Sequence, residues 1–142
     1  MNVRPAAWRS RFARAYFALQ ALAVSGWWLA LWLRPAWRAA FRPDPAPDVV
    51  LLALAPGDLL MLGLGSAIVA WSGRQRVRLR RALAWLVAGA TVYGALYTIA
   101  LAFTGAVPPI GALLMCPAAV ACSLAAFALD DEVSAIPPGS AR

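Results

Sequence analysis

The sequence contains no histidine, no lysine and only six acidic residues among its 142. The absence of histidine removes the usual ligand of haem, zinc and copper, and with it the commonest general base near neutral pH. The two cysteines, Cys116 and Cys122, are six residues apart without a second pair, which is not a metal-binding spacing. We therefore predict no metal and no cofactor, and we expect both thiols to pack inside apolar segments.

Charge of either sign is scarce, whereas apolar residues are abundant. Charged residues make up 13% of the chain and hydrophobic residues 63%. A typical soluble domain has about 25% charged and about 45–50% apolar residues. A water-soluble fold of this length cannot bury so much apolar surface, so the composition indicates an all-α integral membrane protein.

Four long apolar runs predict four transmembrane helices, near residues 15–33, 49–72, 82–103 and 110–129. The first run has nineteen residues without a charge, which as a helix spans roughly 28 Å and nearly crosses a hydrocarbon core of ~30 Å. A secretory signal has a shorter core, about 7–15 residues, so we interpret this run as an uncleaved first helix. The predicted architecture is a four-transmembrane-helix bundle over 15–129, flanked by a basic segment (1–14) and an acidic, Pro- and Gly-containing tail (130–142).

The arginines predict the orientation of this bundle. Nine of them lie in the N-terminal segment and in the 73–81 loop, and three lie in the 34–48 loop. Because arginine accumulates on the cytoplasmic side, we expect both termini to be cytoplasmic, in a bacterial inner membrane. Basic proteins often bind nucleic acid, but topology accounts for these positions. We predict membrane lipids, other membrane subunits or further copies of the chain as partners, and no nucleic acid.

The loop between the first two spans has its own pattern. Arg34, Arg38 and Arg42 recur every fourth residue, which places them on one face of an α-helix, with Trp37 and Phe41 on the adjoining face. This pattern predicts a short interfacial amphipathic helix whose arginines bind lipid phosphate or dock an acidic partner. The alternative is plain anchoring at the membrane surface without a specific ligand.

The second run is interrupted by Pro56-Gly57-Asp58. Proline and aspartate both suit the first turn of a helix, so the membrane helix can begin near Pro56, with the preceding residues interfacial or re-entrant. A continuous helix from Val49 with a proline kink is the alternative. The sequence slightly favours the break.

Helical projection predicts which faces meet. In the third span Gly89, Tyr93, Tyr97 and Ala100 share a small and polar face, which we expect to contact the other helices because small residues permit close approach. The opposite face carries bulkier side chains and is predicted to face lipid. That face comprises Trp85, Ala88, Val92, Ile99 and Phe103.

No catalytic or nucleotide-binding motif is present in the sequence. The size and span number resemble those of small multidrug transporters, but the membrane-embedded glutamate of their first span has no counterpart here.

We expect a non-catalytic accessory or structural subunit of a larger membrane complex. The alternatives are a small transporter or lipid-binding protein with an outer-side cavity around Asp58 and Tyr97, and, last, a membrane enzyme acting on a lipid. The candidate ligand-binding residues are Asp58, Tyr93, Tyr97, Trp27, Trp28 and Arg34; each also has a structural explanation as a helix-start acid, an inter-helix hydrogen-bonder or an interfacial residue.

Overall fold

The chain folds as a bundle of apolar helices. A computed structural model describes residues 4–43, 45–73 and 76–134, and within these ranges the chain is helical and contains no strand. Four helical segments are long and apolar enough to cross a membrane. They are Trp8–Leu33, Asp48–Trp71, Val77–Phe103 and Ile110–Asp130. The predicted all-α, four-helix membrane bundle is confirmed.

Three of the four helices are longer than their charge-free runs. Helix α1 covers Arg4–Leu33 and has 30 residues, which corresponds to roughly 45 Å, whereas the hydrocarbon core is ~30 Å thick. The helices of the last two spans, here called α5 and α6, cover Val77–Phe103 and Ile110–Ser134. The apolar run marks the part suited to hydrocarbon. Arginine and alanine beside it are good helix formers and continue the helical hydrogen bonding.

The second span is helical but irregular. It consists of α2 (Asp48–Leu52), α3 (Ala55–Asp58), a π-helical turn (Leu59–Leu64) and α4 (Gly65–Trp71). Ala53 and Leu54, between α2 and α3, keep right-handed helical dihedral angles. Pro56 follows them; it has no N–H, and its ring crowds the preceding turn, which accounts for the local distortion. The structure thus has features of both alternatives: the helix is interrupted at Ala53 and Leu54 and starts again with Pro56 in its first turn, while Asp48–Trp71 remains one span.

The four spans form a square. Helix α1 packs against the second span and α6, and α5 packs against the same two elements, so α1 and α5 are diagonal neighbours. The main core lies between them and includes the fully buried Phe17, Val69, Val87 and Cys122. Gly65 permits the close approach of α4 to α5, because a Cβ at this position would lie 2.9 Å from Cγ2 of Val87.

The predicted interior face of the third span is wrong. Tyr93 is 73% exposed and Tyr97 42%, and Gly89 is also exposed. The buried face of α5 comprises Arg80, Ala84, Val87, Ala88, Thr91 and Ala95. Projection separates two faces of a helix but does not decide which of them meets a neighbour, because alanine and threonine allow close packing as well as glycine does.

Two connections at the same end of the bundle differ in character. The α5–α6 connection turns tightly at Gly105, whose φ of 70° suits a residue without a Cβ. Between α1 and α2 a 3-10 helix covers Pro35–Ala40, hereafter the loop helix, and it has no buried residue. A helix was predicted in this loop. Its 3-10 geometry was not, and it changes which side chains share a face.

Candidate functional site

The carboxylate of Asp48 binds two of the three loop arginines. Nη1 of Arg38 lies 3.2 Å from Oδ2 of Asp48, and Nε of Arg42 lies 3.3 Å from Oδ1. Nε of Arg38 also donates to the carbonyl oxygen of Leu31, in the last turn of α1, at 2.9 Å. Arg42 donates to the carbonyl oxygen of Ala46 as well. These contacts fasten the loop between the end of α1 and the start of α2; we call Arg38, Arg42 and Asp48 the loop clamp.

The predicted common face of Arg34, Arg38 and Arg42 is therefore wrong. A 3-10 helix has three residues per turn, so positions four apart do not align on one face. Moreover, Arg34 precedes the helix and Arg42 follows it. Arg34 is exposed, while the other two guanidinium groups face Asp48. Any lipid or partner that binds this loop would meet one exposed arginine beside Trp37, which is 53% exposed.

The tryptophan pair of α1 packs beneath the loop. Trp28 is only 2% exposed, in a cluster with Leu31, Leu51 and Ala55. The ring of Trp27 packs edge-to-face against Phe41, with ring centroids 4.4 Å apart. Phe41 thus joins the loop to the bundle through an aromatic contact worth about 0.5–1.5 kcal/mol beyond burial. In this arrangement neither tryptophan lines an open cavity.

Asp58 lies beside this cluster and is partly buried. The indole N–H of Trp28 approaches its carboxylate, although the pair does not reach the geometry of a direct hydrogen bond. Asp58 ends α3 at the point where the π-helical turn begins, and such turns are frequent at functional sites. Of the predicted ligand-binding residues, the structure brings together Asp58 and Trp28.

Uncharged polar side chains meet at the centre of the bundle. Nε2 of Gln20 donates to Oγ1 of Thr91 across the α1–α5 diagonal at 3.4 Å. The Cys122 thiol of α6 lies within hydrogen-bonding reach of Tyr16, Gln20 and Thr91, and the Tyr16 hydroxyl donates to the carbonyl oxygen of Ala118 at 2.9 Å. This cluster contains no acid–base pair. Its hydrogen bonds fix how the helices face one another, as polar groups do inside membrane bundles.

An open depression lies between the loop helix and the α5–α6 turn. It has a volume of about 540 Å³ and is lined by Ala39, Arg42, Gly105, Ala106, Val107 and Pro108. Asp58, Tyr97, Tyr93 and the tryptophan pair do not line it. Tyr97 is turned towards the outside of the bundle, 42% exposed, whereas Asp58 is partly buried.

The opposite end of the bundle carries most of the arginines. Nε of Arg14 donates to the carbonyl oxygen of Ala70 at 2.9 Å, which ties α1 to the end of α4. Arg81 pairs with Asp130, linking α5 to α6. Arg80 is 1% exposed. We call this end, defined by the arginines of 9–14 and 76–81, the arginine-rich end, and the other the loop-helix end.

Sequence reasoning missed Asp48 and Thr91. Asp48 follows a proline and precedes an apolar run, so its position indicates an acidic residue at the start of a helix. It lies six residues after Arg42 and ten residues after Arg38, and this short separation is the signal that could have indicated an ion pair. Thr91 belongs to the small and polar residues that continue the predicted contact face of α5 round the helix, but it was not singled out as a hydrogen-bonding residue. A fully buried threonine is recognisable from the alanines one turn on either side of it, Ala88 and Ala95, which share its buried face.

Comparison of the chain with protein-family models, with curated proteins and with solved structures found no match. Among the residues that the structure describes, no group of three or more histidine, cysteine, aspartate or glutamate side chains could hold a metal ion. The function must therefore be inferred from the geometry of the bundle.

Proposed function

We propose that the protein is a non-catalytic accessory subunit of a larger membrane complex and that it packs against its partner through the outward face of α5. The observation that supports this proposal is the position of Tyr93, which is 73% exposed within a membrane span. Gly89 and Tyr97, one turn away on either side along the helix, are exposed as well. We call Gly89, Tyr93 and Tyr97 the outer α5 face.

The phenol of Tyr93, inside a membrane span, needs a hydrogen-bond partner. Tyr93 lies at the middle of 82–103, the charge-free part of α5 that is suited to hydrocarbon, so its hydroxyl is far from both membrane surfaces. It makes no hydrogen bond within the part of the chain described here. An unsatisfied hydroxyl in hydrocarbon costs several kcal/mol, and a neighbouring transmembrane helix would remove this cost.

Tyr16 provides the pattern for such a contact inside the same molecule. Its hydroxyl crosses from α1 to α6 and donates to the backbone carbonyl of Ala118, beside other small residues. Tyr93 on the outer α5 face has the same chemistry but no helix opposite it. Gly89 adds room there, because a Cβ at this position would meet no atom within 4 Å. A partner helix could approach the backbone of α5 closely at this point.

Photo-crosslinking tests the proposal. A photoreactive amino acid at position 93 should give one defined adduct of constant stoichiometry in native membranes. The matched control is position 113 on α6, where Leu113 is equally open at 69% exposure. Equal, diffuse adducts at both positions would mean that the outer α5 face contacts only lipid. An adduct with twice the mass of the chain would indicate a homo-oligomer and reject the accessory role.

We further infer that the arginine-rich end lies in the cytoplasm of a bacterium and that the protein resides in the inner membrane, with both termini inside. The nine arginines of residues 1–14 and 73–81, and the shortness of the 73–81 loop, support this orientation. The three arginines of the 34–48 loop oppose it, but they are the minority.

The approach of Trp28 to Asp58 favours a second candidate function, the binding of a small amine or a lipid headgroup. Trp28 is 2% exposed and its N–H has no hydrogen-bond partner of normal geometry among the described residues. A carboxylate and an aromatic ring together suit a cationic ligand. Mass spectrometry of the purified protein should then detect a bound molecule that is lost in Asp58→Asn and kept in Asp130→Asn. A molecule retained by both variants would exclude Asp58 as its site.

A further inference from the structure

The two ends of the bundle differ in charge. The segments of the arginine-rich end (1–14, 73–81 and 130–142) contain ten arginines against Asp130, Asp131 and Glu132, a formal charge of +7. The segment of the loop-helix end (34–58) contains three arginines against Asp44, Asp48 and Asp58, a formal charge of 0. The net charge of +7 is therefore carried by the segments of one end.

The arginine-rich end also has guanidinium groups available to an external anion. Arg11, Arg76 and Arg78 are exposed and make no ion pair within the described ranges. At the loop-helix end, in contrast, the loop clamp already pairs Arg38 and Arg42 with the carboxylate of Asp48. The site predicted to bind phosphate is thus occupied by a carboxylate of the same chain, and free arginines are found at the opposite end.

Exposed aromatic rings lie at the same level as these arginines. Trp8 and Phe12 are 63% and 67% exposed, with ring centroids 5.4 Å apart, and Trp71 at the end of α4 is 67% exposed. Trp8 and Phe12 continue the exposed stripe of α1 that includes Leu19 and Leu22. The lipid-facing surface of α1 therefore changes from leucine to tryptophan, phenylalanine and arginine towards its first turns, as at a boundary between acyl chains and headgroups.

From this charge complementarity we infer that the arginine-rich end binds the phosphate groups of anionic phospholipids in the adjacent leaflet, through Arg11, Arg76 and Arg78 flanked by Trp8, Phe12 and Trp71. The planar guanidinium group contacts phosphate through two parallel hydrogen bonds. The flanking rings place the ligand at a membrane surface, which favours a lipid over a nucleic acid. This inference is independent of the accessory role and of which side of the membrane this end occupies.

Lipid retention tests the inference. The full chain is reconstituted into nanodiscs of equal phosphatidylglycerol and phosphatidylcholine, extracted in mild detergent, and the bound lipid is counted by native mass spectrometry. We expect retained lipid to be enriched in phosphatidylglycerol, by about fivefold for each arginine at low ionic strength. The triple variant Arg11→Gln, Arg76→Gln, Arg78→Gln should lose this enrichment, while Arg34→Gln, an exposed arginine at the other end, should keep it.

Two results would overturn the inference: no preference in the unmodified protein, or equal enrichment in the triple variant and in Arg34→Gln. If the triple variant fails to fold, the inference is tested instead by measuring how the stabilisation of the unmodified protein by lipid depends on salt. Stabilisation by phosphatidylglycerol should fall as ionic strength rises, because exposed charges are screened, and stabilisation by phosphatidylcholine should not. Salt-independent stabilisation, or equal stabilisation by an oligonucleotide without lipid, would contradict a phospholipid site.

Discussion

At the loop-helix end Arg38 and Arg42 share the carboxylate of Asp48, whereas at the arginine-rich end Arg11, Arg76 and Arg78 are exposed without an ion pair in the described structure. Two tryptophans show a similar contrast: Trp28 is 2% exposed and Trp8 63%. The loop-helix end uses Arg38, Arg42 and Trp28 to hold a loop in place, although Arg34 and Trp37 are exposed there, whereas the arginine-rich end presents arginines and Trp8 to its surroundings. Residue type alone therefore does not separate a structural role from an interaction role.

The largest expected effect concerns the side of the membrane that each end occupies. In a chain carrying Cys116→Ala and Cys122→Ala, a new cysteine at position 46 should react with a membrane-impermeant reagent added outside. A cysteine at position 76 should react only after the membrane is permeabilised. This difference follows from the arginine count of the two ends. The reverse labelling pattern would show that the arginine-rich end is outside.

Removing a tryptophan should affect the two ends unequally. We expect Trp28→Ala to lower the free energy of unfolding in detergent by about 3 kcal/mol, because it leaves a void among Leu31, Leu51 and Ala55. Trp8→Ala should change it by less than about 0.5 kcal/mol, since this ring is exposed. Denaturant titration of both variants measures the difference. Similar decreases in the free energy of unfolding for the two variants would mean that Trp28 is not more tightly packed than Trp8.

The loop clamp predicts a smaller contrast between two arginines of one loop. Arg38→Gln should destabilise the bundle by about 1–2 kcal/mol, because it removes the ion pair with Asp48 and the hydrogen bond to the Leu31 carbonyl. The exposed Arg34 makes neither contact, so Arg34→Gln should leave the melting temperature unchanged. If Arg34→Gln were the more harmful change, the loop would be held by something other than the clamp.

The smallest effect concerns helix packing towards the loop-helix end. A Cβ at Gly94 would lie 2.8 Å from Cε of Met115 on α6. We therefore expect Gly94→Leu to weaken the bundle by about 1 kcal/mol, with the flexible methionine absorbing part of the overlap. Val92 is 38% exposed, so Val92→Leu should have less effect. Equal melting temperatures would indicate that α5 and α6 are less closely packed at this level.

Much of the α1 and α6 packing could be predicted from the sequence, and that of α5 could not. Helical projection of the sequence places Gln20 with Leu31 on one face of α1 and Cys122 with Ala125 on one face of α6, and all four residues are buried. These helices each have one stripe that is clearly smaller or more polar than the rest. In α5, small residues occur on both sides: Gly89 is exposed while Ala88, its neighbour in sequence, is 2% exposed. Composition does not identify the buried side in such a helix.

The apolar runs alone establish that this is a four-helix membrane protein and which segments cross the bilayer. Hydrocarbon imposes these features directly, because a charge-free run of about twenty residues can satisfy its backbone there only as a helix. Tertiary structure alone decided that Tyr93 faces outwards and that Asp48 binds Arg38 and Arg42. Both depend on how neighbouring segments are placed in space. Lipid and protein are similarly apolar surroundings for a helix, so the face that each span turns to its neighbours is set by packing and hydrogen bonds between helices.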